Sequence, residues 1–204
     1  MKNQTKIQLS TYEMELVSNA ELLLTKNAIM EKVKQVLENI QYAQQHFLNT
    51  GRINLPSEIL RPLPKISKGE NYKGLPYFVL DHPRYFDKEN KLAIRTMFWW
   101  GNFFSITLHL SGIYKKKLEK KIIDSRNILI KNDFYVCIHS KEWEHHFEID
   151  NYISAGKMNK PDFENLVRES SFLKLAKKIS LEKWKDAEKI LLSDYKQIIK
   201  LLID

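Results

Sequence analysis

The stretch MFWWGNFFSITLHL (residues 97–110) sets five aromatic rings around a Gly-Asn pair and then places serine, threonine and histidine at alternate positions. Glycine and asparagine tolerate positive φ, so the pair reads as a two-residue turn joining KLAIRTMFWW (91–100) to FFSITLHL (103–110). Both flanks are rich in aromatic and β-branched residues, which suit a pleated, half-buried surface. A hairpin's turn sets its register, and a turn at Gly101 and Asn102 pairs Trp100 with Phe103. Two faces follow. One carries Ala93, Met97, Trp99, Phe104, Ile106, Leu108 and Leu110, with Arg95 as its only polar member, and reads as core. The other carries Ile94, Thr96, Phe98, Trp100, Phe103, Ser105, Thr107, His109 and Ser111.

Outward from this hairpin, LPYFVLD (75–81) reads as a third strand and FYVCIHSKEWEHHFEI (134–149) as a second hairpin turning at Ser140 and Lys141. Between them IYKKKLEKKIIDSRNILI (113–130) repeats Tyr114, Leu118, Ile122 and Leu129 at helical spacing. The first 51 residues are helical in pattern. Ser10 and Glu13 form a capping box, a first helix covers about 11–24, and a second pattern runs to Gly51, expected to take a left-handed C-cap. A break near Asn27 is one option, a continuous helix the other. Residues 52–74 carry Pro56, Pro62, Pro64, Gly69 and Gly74 and read as a long loop, its centre from Lys65 to Lys73 open to disorder. The C-terminal region (162–204) reads as two helices, one from Asp162 to about Lys178 and one from Ser180. The expectation is a single α+β domain over 1–204, with a mainly antiparallel sheet of about five strands flanked by helices.

Composition narrows the function classes. A chain of 204 residues with 43% hydrophobic and 28% charged residues can bury one substantial core. No run approaches the roughly 20 apolar residues of a membrane span, and the N-terminus lacks the apolar core of a leader. Together with a lone cysteine, Cys137, which reads as a buried inert thiol, this points to a soluble, cytoplasmic chain. A net charge of +8 admits nucleic acid, but the lysines are interspersed with acids as on a solvated helix face, and no nucleic-acid-binding signature accompanies KKKLEKK (115–121). Cofactor and nucleophile motifs are absent, so no cofactor is expected. HSKEWEHHFEID (139–150) holds three histidines and four acids without a zinc spacing, and no metal is expected there.

The candidate ligand surface is the hydroxyl-bearing face: Thr96, Phe98, Trp100, Phe103, Ser105, Thr107 and His109 combine apolar walls with a few placed polar groups. A buried guanidinium must be paired, so Arg95 calls for a carboxylate, an anionic ligand or an exit to water. Asp81, His82 and Arg84 in LDHPRYF gather where the first strand ends. The leading expectation is a binding protein for a small organic ligand or a protein segment. A second is an enzyme whose acid and base groups are His109 with Asp81, His82 and Arg84, provided both histidines face one cavity. A third is a structural or protein-interaction module that self-associates through exposed aromatics.

Overall fold

A computed structural model describes residues 7–203 apart from Arg52 and Asn54; the start of the segment read for a leader and the first residue of the expected long loop lie outside the described residues. The element order is α1 (Thr11–Ser18), α2 (Ala20–Thr50), α3 (Ser57–Leu60), β1 (Lys65–Tyr72), β2 (Leu75–Phe86), β3 (Lys91–Trp99), β4 (Phe103–Ser111), α4 (Gly112–Asp124), α5 (Arg126–Lys131), β5 (Tyr135–Cys137), β6 (Tyr152–Ser154), α6 (Lys160–Glu169), β7 (Phe172–Ser180) and α7 (Ala187–Leu202). One seven-stranded sheet runs β1-β2-β3-β4-β7-β5-β6, every pairing antiparallel. The α+β, mainly antiparallel architecture is as expected; the sheet has seven strands rather than about five.

The helices gather on one face of the sheet. Phe78, Leu80, Ile94, Phe98, Phe104, Ile106, Leu108, Leu175 and Ile179 pack there against Val33, Leu37 and Ile40 of α2 and Leu191, Tyr195 and Ile198 of α7. Fully burying a Val, Leu, Ile or Phe side chain contributes about 1.5–3 kcal/mol, so this layer holds the fold. In α4 and α5 the expected stripe is observed, with Tyr114, Ile122 and Leu129 buried and a break at Ser125.

Local departures from the expected elements have identifiable causes. The capping box forms as read, with the Glu13 amide donating to Ser10 Oγ and Glu13 accepting from the Ser10 amide. The first helix nevertheless stops at Ser18, because Asn19 leaves helical geometry and uses its side chain to accept from the Leu22 amide, starting α2. From there α2 is unbroken to Thr50, without a break near Asn27, and Gly51 has φ −78° rather than a left-handed conformation. Within the expected loop KISKGENY forms β1, an edge strand paired only to β2. The expected helix from Asp162 to Lys178 ends at Glu169, and FLKLAKKIS is β7, which joins β4 to β5 in the sheet. Its lysines and leucines suit a helix locally, but alternation sends Leu173, Leu175 and Ile179 to the core. The expected second hairpin is also replaced. β5 pairs with β6, and residues 138–151 cross the sheet as an irregular strap.

The β3–β4 turn has three residues, Trp100, Gly101 and Asn102, so Trp99 pairs with Phe103 and Phe98 with Phe104. Gly101 takes φ +69°, the Asn102 amide donates to the Trp99 carbonyl, and the Trp100 amide donates to Pro76, which draws Trp100 out of the ladder. The register is one residue from the expected one. Ser105, Thr107 and His109 therefore share a face with Arg95, Met97 and Trp99, while Thr96 and Phe98 point into the helix layer.

In β2 one extra residue is accommodated between Asp81 and Arg84: Asp81 lies opposite Arg95 and Arg84 opposite Ala93, so His82 and Pro83 share Ile94 as partner. Both Asp81 and Arg84 face away from the helices, whereas His82 points into them.

Candidate functional site

The helix-free face of the sheet is divided. Over β4, β7 and β5 it is closed by the strap; over β1, β2 and β3 it remains an open cleft of about 470 Å³. Two anchors hold the strap at the cleft edge. Tyr72 Oη accepts from the amides of His145 (2.7 Å) and His146 (3.0 Å) and donates to Glu144 (3.1 Å). Lys174, almost fully buried, donates to the Glu144 carbonyl at 2.5 Å and lies over the rings of Tyr152 and Phe172. Burial lowers the pKa of this ammonium, and its aromatic neighbours offset part of the cost of desolvation.

Under the strap, His109 Nε2 meets Glu142 Oε1 at 2.7 Å, and Lys91 approaches the same oxygen at 3.3 Å. Burial pushes the His109 pKa down to about 4, outweighing the opposing pull of Glu142. The imidazole is neutral at pH 7, its ring edge-on to Trp143. Ser105 and Thr107 are buried in the same layer, and Phe103 packs between Trp99 and Phe147. This half of the expected ligand face is interior.

The cleft floor centres on Arg95, whose Nε and Nη2 donate to Asp81 Oδ1 and Oδ2, each at 2.8 Å. This is the bidentate pair that a buried guanidinium requires. Its Nη1 lies 3.2 Å from His145 Nε2; an arginine only donates, so Nε2 is the acceptor and the ring proton sits on Nδ1. Burial, reinforced by Arg95 and Lys174, holds the His145 pKa well below its ordinary value. Around this floor Lys65 and Arg84 add two cations, and Tyr72, Tyr77, Phe86 and Trp143 supply aromatic walls. Arg84 is fixed by Nε donating to the Leu63 carbonyl at 2.9 Å.

The sequence-derived site is thus split three ways. Asp81 and Arg84 reach the cleft; Phe103, Ser105, Thr107 and His109 lie on the same face beneath the strap; Thr96, Phe98 and Trp100 turn to the helix side, where Phe98 packs on Phe104 and Trp184. His82 is also on the helix side, 3.3 Å from Gln44 and stacked against Tyr195, its pKa pushed down to about 4 by burial. His82 and His109 therefore occupy opposite faces and do not share a cavity. The acid-base arrangement that requires them together is not assembled. His145, the cleft's histidine, already spends its lone pair on Arg95.

No sequence pattern marks Lys65, Tyr72, Tyr77, Trp143 and His145 as site residues. Arg95 was the available signal, a lone charge in an apolar strand, but the expected register set it apart from the hydroxyl face. Cys137 is buried, its thiol pKa raised by that burial. Among the described residues no group of three or more His, Cys, Asp and Glu side chains is placed to hold a metal, and no helix is long and apolar enough to cross a membrane. No protein-family model, curated protein or solved structure matches this chain.

Proposed function

We propose that the chain is a binding protein for a small organic anion with a flat, partly apolar body, a carboxylate or phosphate monoester, seated in the cleft over β1, β2 and β3. The observation that carries this reading is the composition of the cleft: Lys65, Arg84 and Arg95 against the single carboxylate of Asp81, within four aromatic walls. Arg95 and Asp81 neutralise each other, which leaves Lys65 and Arg84 to meet the ligand's charge. Tyr72, Tyr77, Phe86 and Trp143 meet its body. Pockets of a few hundred Å³ with apolar walls and a few fixed polar groups have this character.

The test is a thermal-shift and calorimetric screen of aromatic carboxylates and phosphate monoesters on the full chain. A ligand at 100 times its Kd stabilises the native state by about 2.7 kcal/mol, well within detection. Arg84→Glu and Lys65→Glu, at the cleft margin, are expected to weaken binding at least about tenfold while leaving the unliganded melting temperature within a few degrees. Absence of any shift at millimolar concentrations across both classes, or binding indifferent to both substitutions, sinks the reading.

A further inference from the structure

Residues 7–24 are rich in large apolar side chains and are exposed throughout. Among the described residues, nine of the seventeen exposed large hydrophobic side chains lie here, Tyr12 (67%), Val17 (68%) and Leu24 (67%) among them. No residue of α1 is buried, and the first buried residue of α2 is Met30, ten residues into the helix. An apolar patch of this density on one protruding segment is a surface made to be covered.

We propose that this arm docks on a second copy of the chain, in the groove between α2 and α7, and that two copies exchange arms about a two-fold axis. Charge selects the occupant. Residues 7–25 carry Glu13, Glu15 and Glu21 and no lysine or arginine, in a chain whose net charge is +8. An anionic membrane surface repels such a segment; the basic body of another copy attracts it. The α2/α7 groove, about 600 Å³, is lined by Val36, Ile40, Trp184 and Leu192, with Lys189 of α7 and Lys185 of the turn before it on one rim. The carboxylate that lines it, Glu188, accepts from Asn39 at 3.1 Å.

Shape agrees with charge. At about 100° per residue, Tyr12 and Leu16 form one ridge of α1, with Glu13 and Glu15 on its two flanks. Seated ridge-down, α1 brings one of these carboxylates to the lysine rim in either direction of insertion. The arm does not fill its own groove, because α2 is continuous and carries Asn19 about 25 Å along the axis from Val36. Antiparallel apposition of two α2 helices about an axis near Asn27 sets Asn19 of one chain beside residue 35 of the other, next to Val36 of the groove, and α1, which leaves α2 at the Asn19 break, then has only its own length of about 12 Å to span. Each arm then meets the other chain's groove, an isologous contact that closes at two copies.

Sedimentation velocity and light scattering on the full chain decide the matter. The wild type is expected at the mass of two chains, and both Y12D/L16D in the arm and K185E/K189E on the rim are expected to raise the dissociation constant at least about tenfold. Circular dichroism melts should stay near wild type for both, since these side chains lie outside the core. Adding E15K to K185E/K189E should recover part of the lost affinity, which a merely misfolded rim variant would not do. A wild type that is monomeric up to about 100 µM, or a dimer indifferent to both sets of substitutions, overturns the proposal. So does binding to anionic vesicles that Y12D/L16D abolishes.

Discussion

Arg95 Nη1 and His145 Nε2 lie 3.2 Å apart, so a guanidinium of β3 holds the imidazole of the strap in one neutral tautomer. The same guanidinium is clamped by Asp81, and one side chain thereby ties the cleft floor to the cleft edge. Arg95→Met is expected to cost about 3–5 kcal/mol, because it strands the Asp81 carboxylate in a site where its side chain is 9% exposed. The double variant D81L/R95M should recover most of that loss, since replacing both members of a buried pair by apolar groups is often close to neutral. Urea unfolding of the three variants measures this. A single-variant cost below about 1 kcal/mol would show that water already solvates the pair.

Tyr72→Phe removes the oxygen that satisfies two consecutive amides of the strap, His145 and His146. Each amide left without a partner costs about 1–3 kcal/mol if it stays buried. The strap is therefore expected to lift rather than remain in place. Hydrogen exchange at residues 142–148 should speed up by about tenfold or more while α7 keeps its protection. Unchanged exchange there would mean that Lys174 and the side-chain contacts of Glu142 and His145 hold the strap without Tyr72.

Stability should fall on acidification through a defined window. His82 and His109 are each held at about 4 in the folded chain, chiefly by burial, against an ordinary value of 6.5. Below pH 6.5 the unfolded chain takes up protons that the folded chain refuses, so stability is lost as pH falls, and the loss levels off near pH 4. At pH 5 each histidine accounts for about 2 kcal/mol. His145 acts in the same direction. Denaturant titrations at pH 7, 6 and 5 on the wild type and on His82→Phe test this. The variant should show a visibly shallower pH slope, and an identical slope would remove His82 from the account.

Two glycines at positive φ should respond differently to alanine. Gly101 (φ +69°) has open space where a Cβ would stand, so Gly101→Ala carries only the backbone cost, about 1 kcal/mol. At Gly112 (φ +55°) the Cβ would stand 2.8 Å from the Glu89 carbonyl oxygen and closer still to Asn90 Oδ1, whose oxygen accepts from the Ile113 amide. Gly112→Ala should therefore cost at least about 2–3 kcal/mol, read from parallel thermal melts. Equal costs at the two sites would contradict the steric reading.

The capping box, the three adjoining strands and the buried stripe of α4 and α5 were legible because each rests on a local pattern whose period is decided by neighbouring residues. β7 was not. Lys174, Lys177 and Lys178 look like a solvated helix face until the sheet is assembled, when Lys177 finds Asp194 at 2.5 Å and Lys174 finds the strap. β1 was hidden for a related reason, since an edge strand with one hydrogen-bonded neighbour needs no apolar run to mark it. The site suffered most from the β3–β4 turn. Trp100 enters the loop because its amide bonds to Pro76, a partner 24 residues away that no local rule sees, and this single shift moved Thr96 and Phe98 from the expected ligand face into the core.

The extra residue of β2 acts on the cleft in the way a phase slip acts on a wave. Before it, odd-numbered side chains face the open side; after it, even-numbered ones do. Were the strand to run through His82 and Pro83 with strict alternation, Arg84 would turn toward the helices and the cleft would lose a cation; two residues sharing the place opposite Ile94 keep it on the open side. The cleft's electrostatic sign thus depends on an irregularity of the backbone as much as on the identity of the residues.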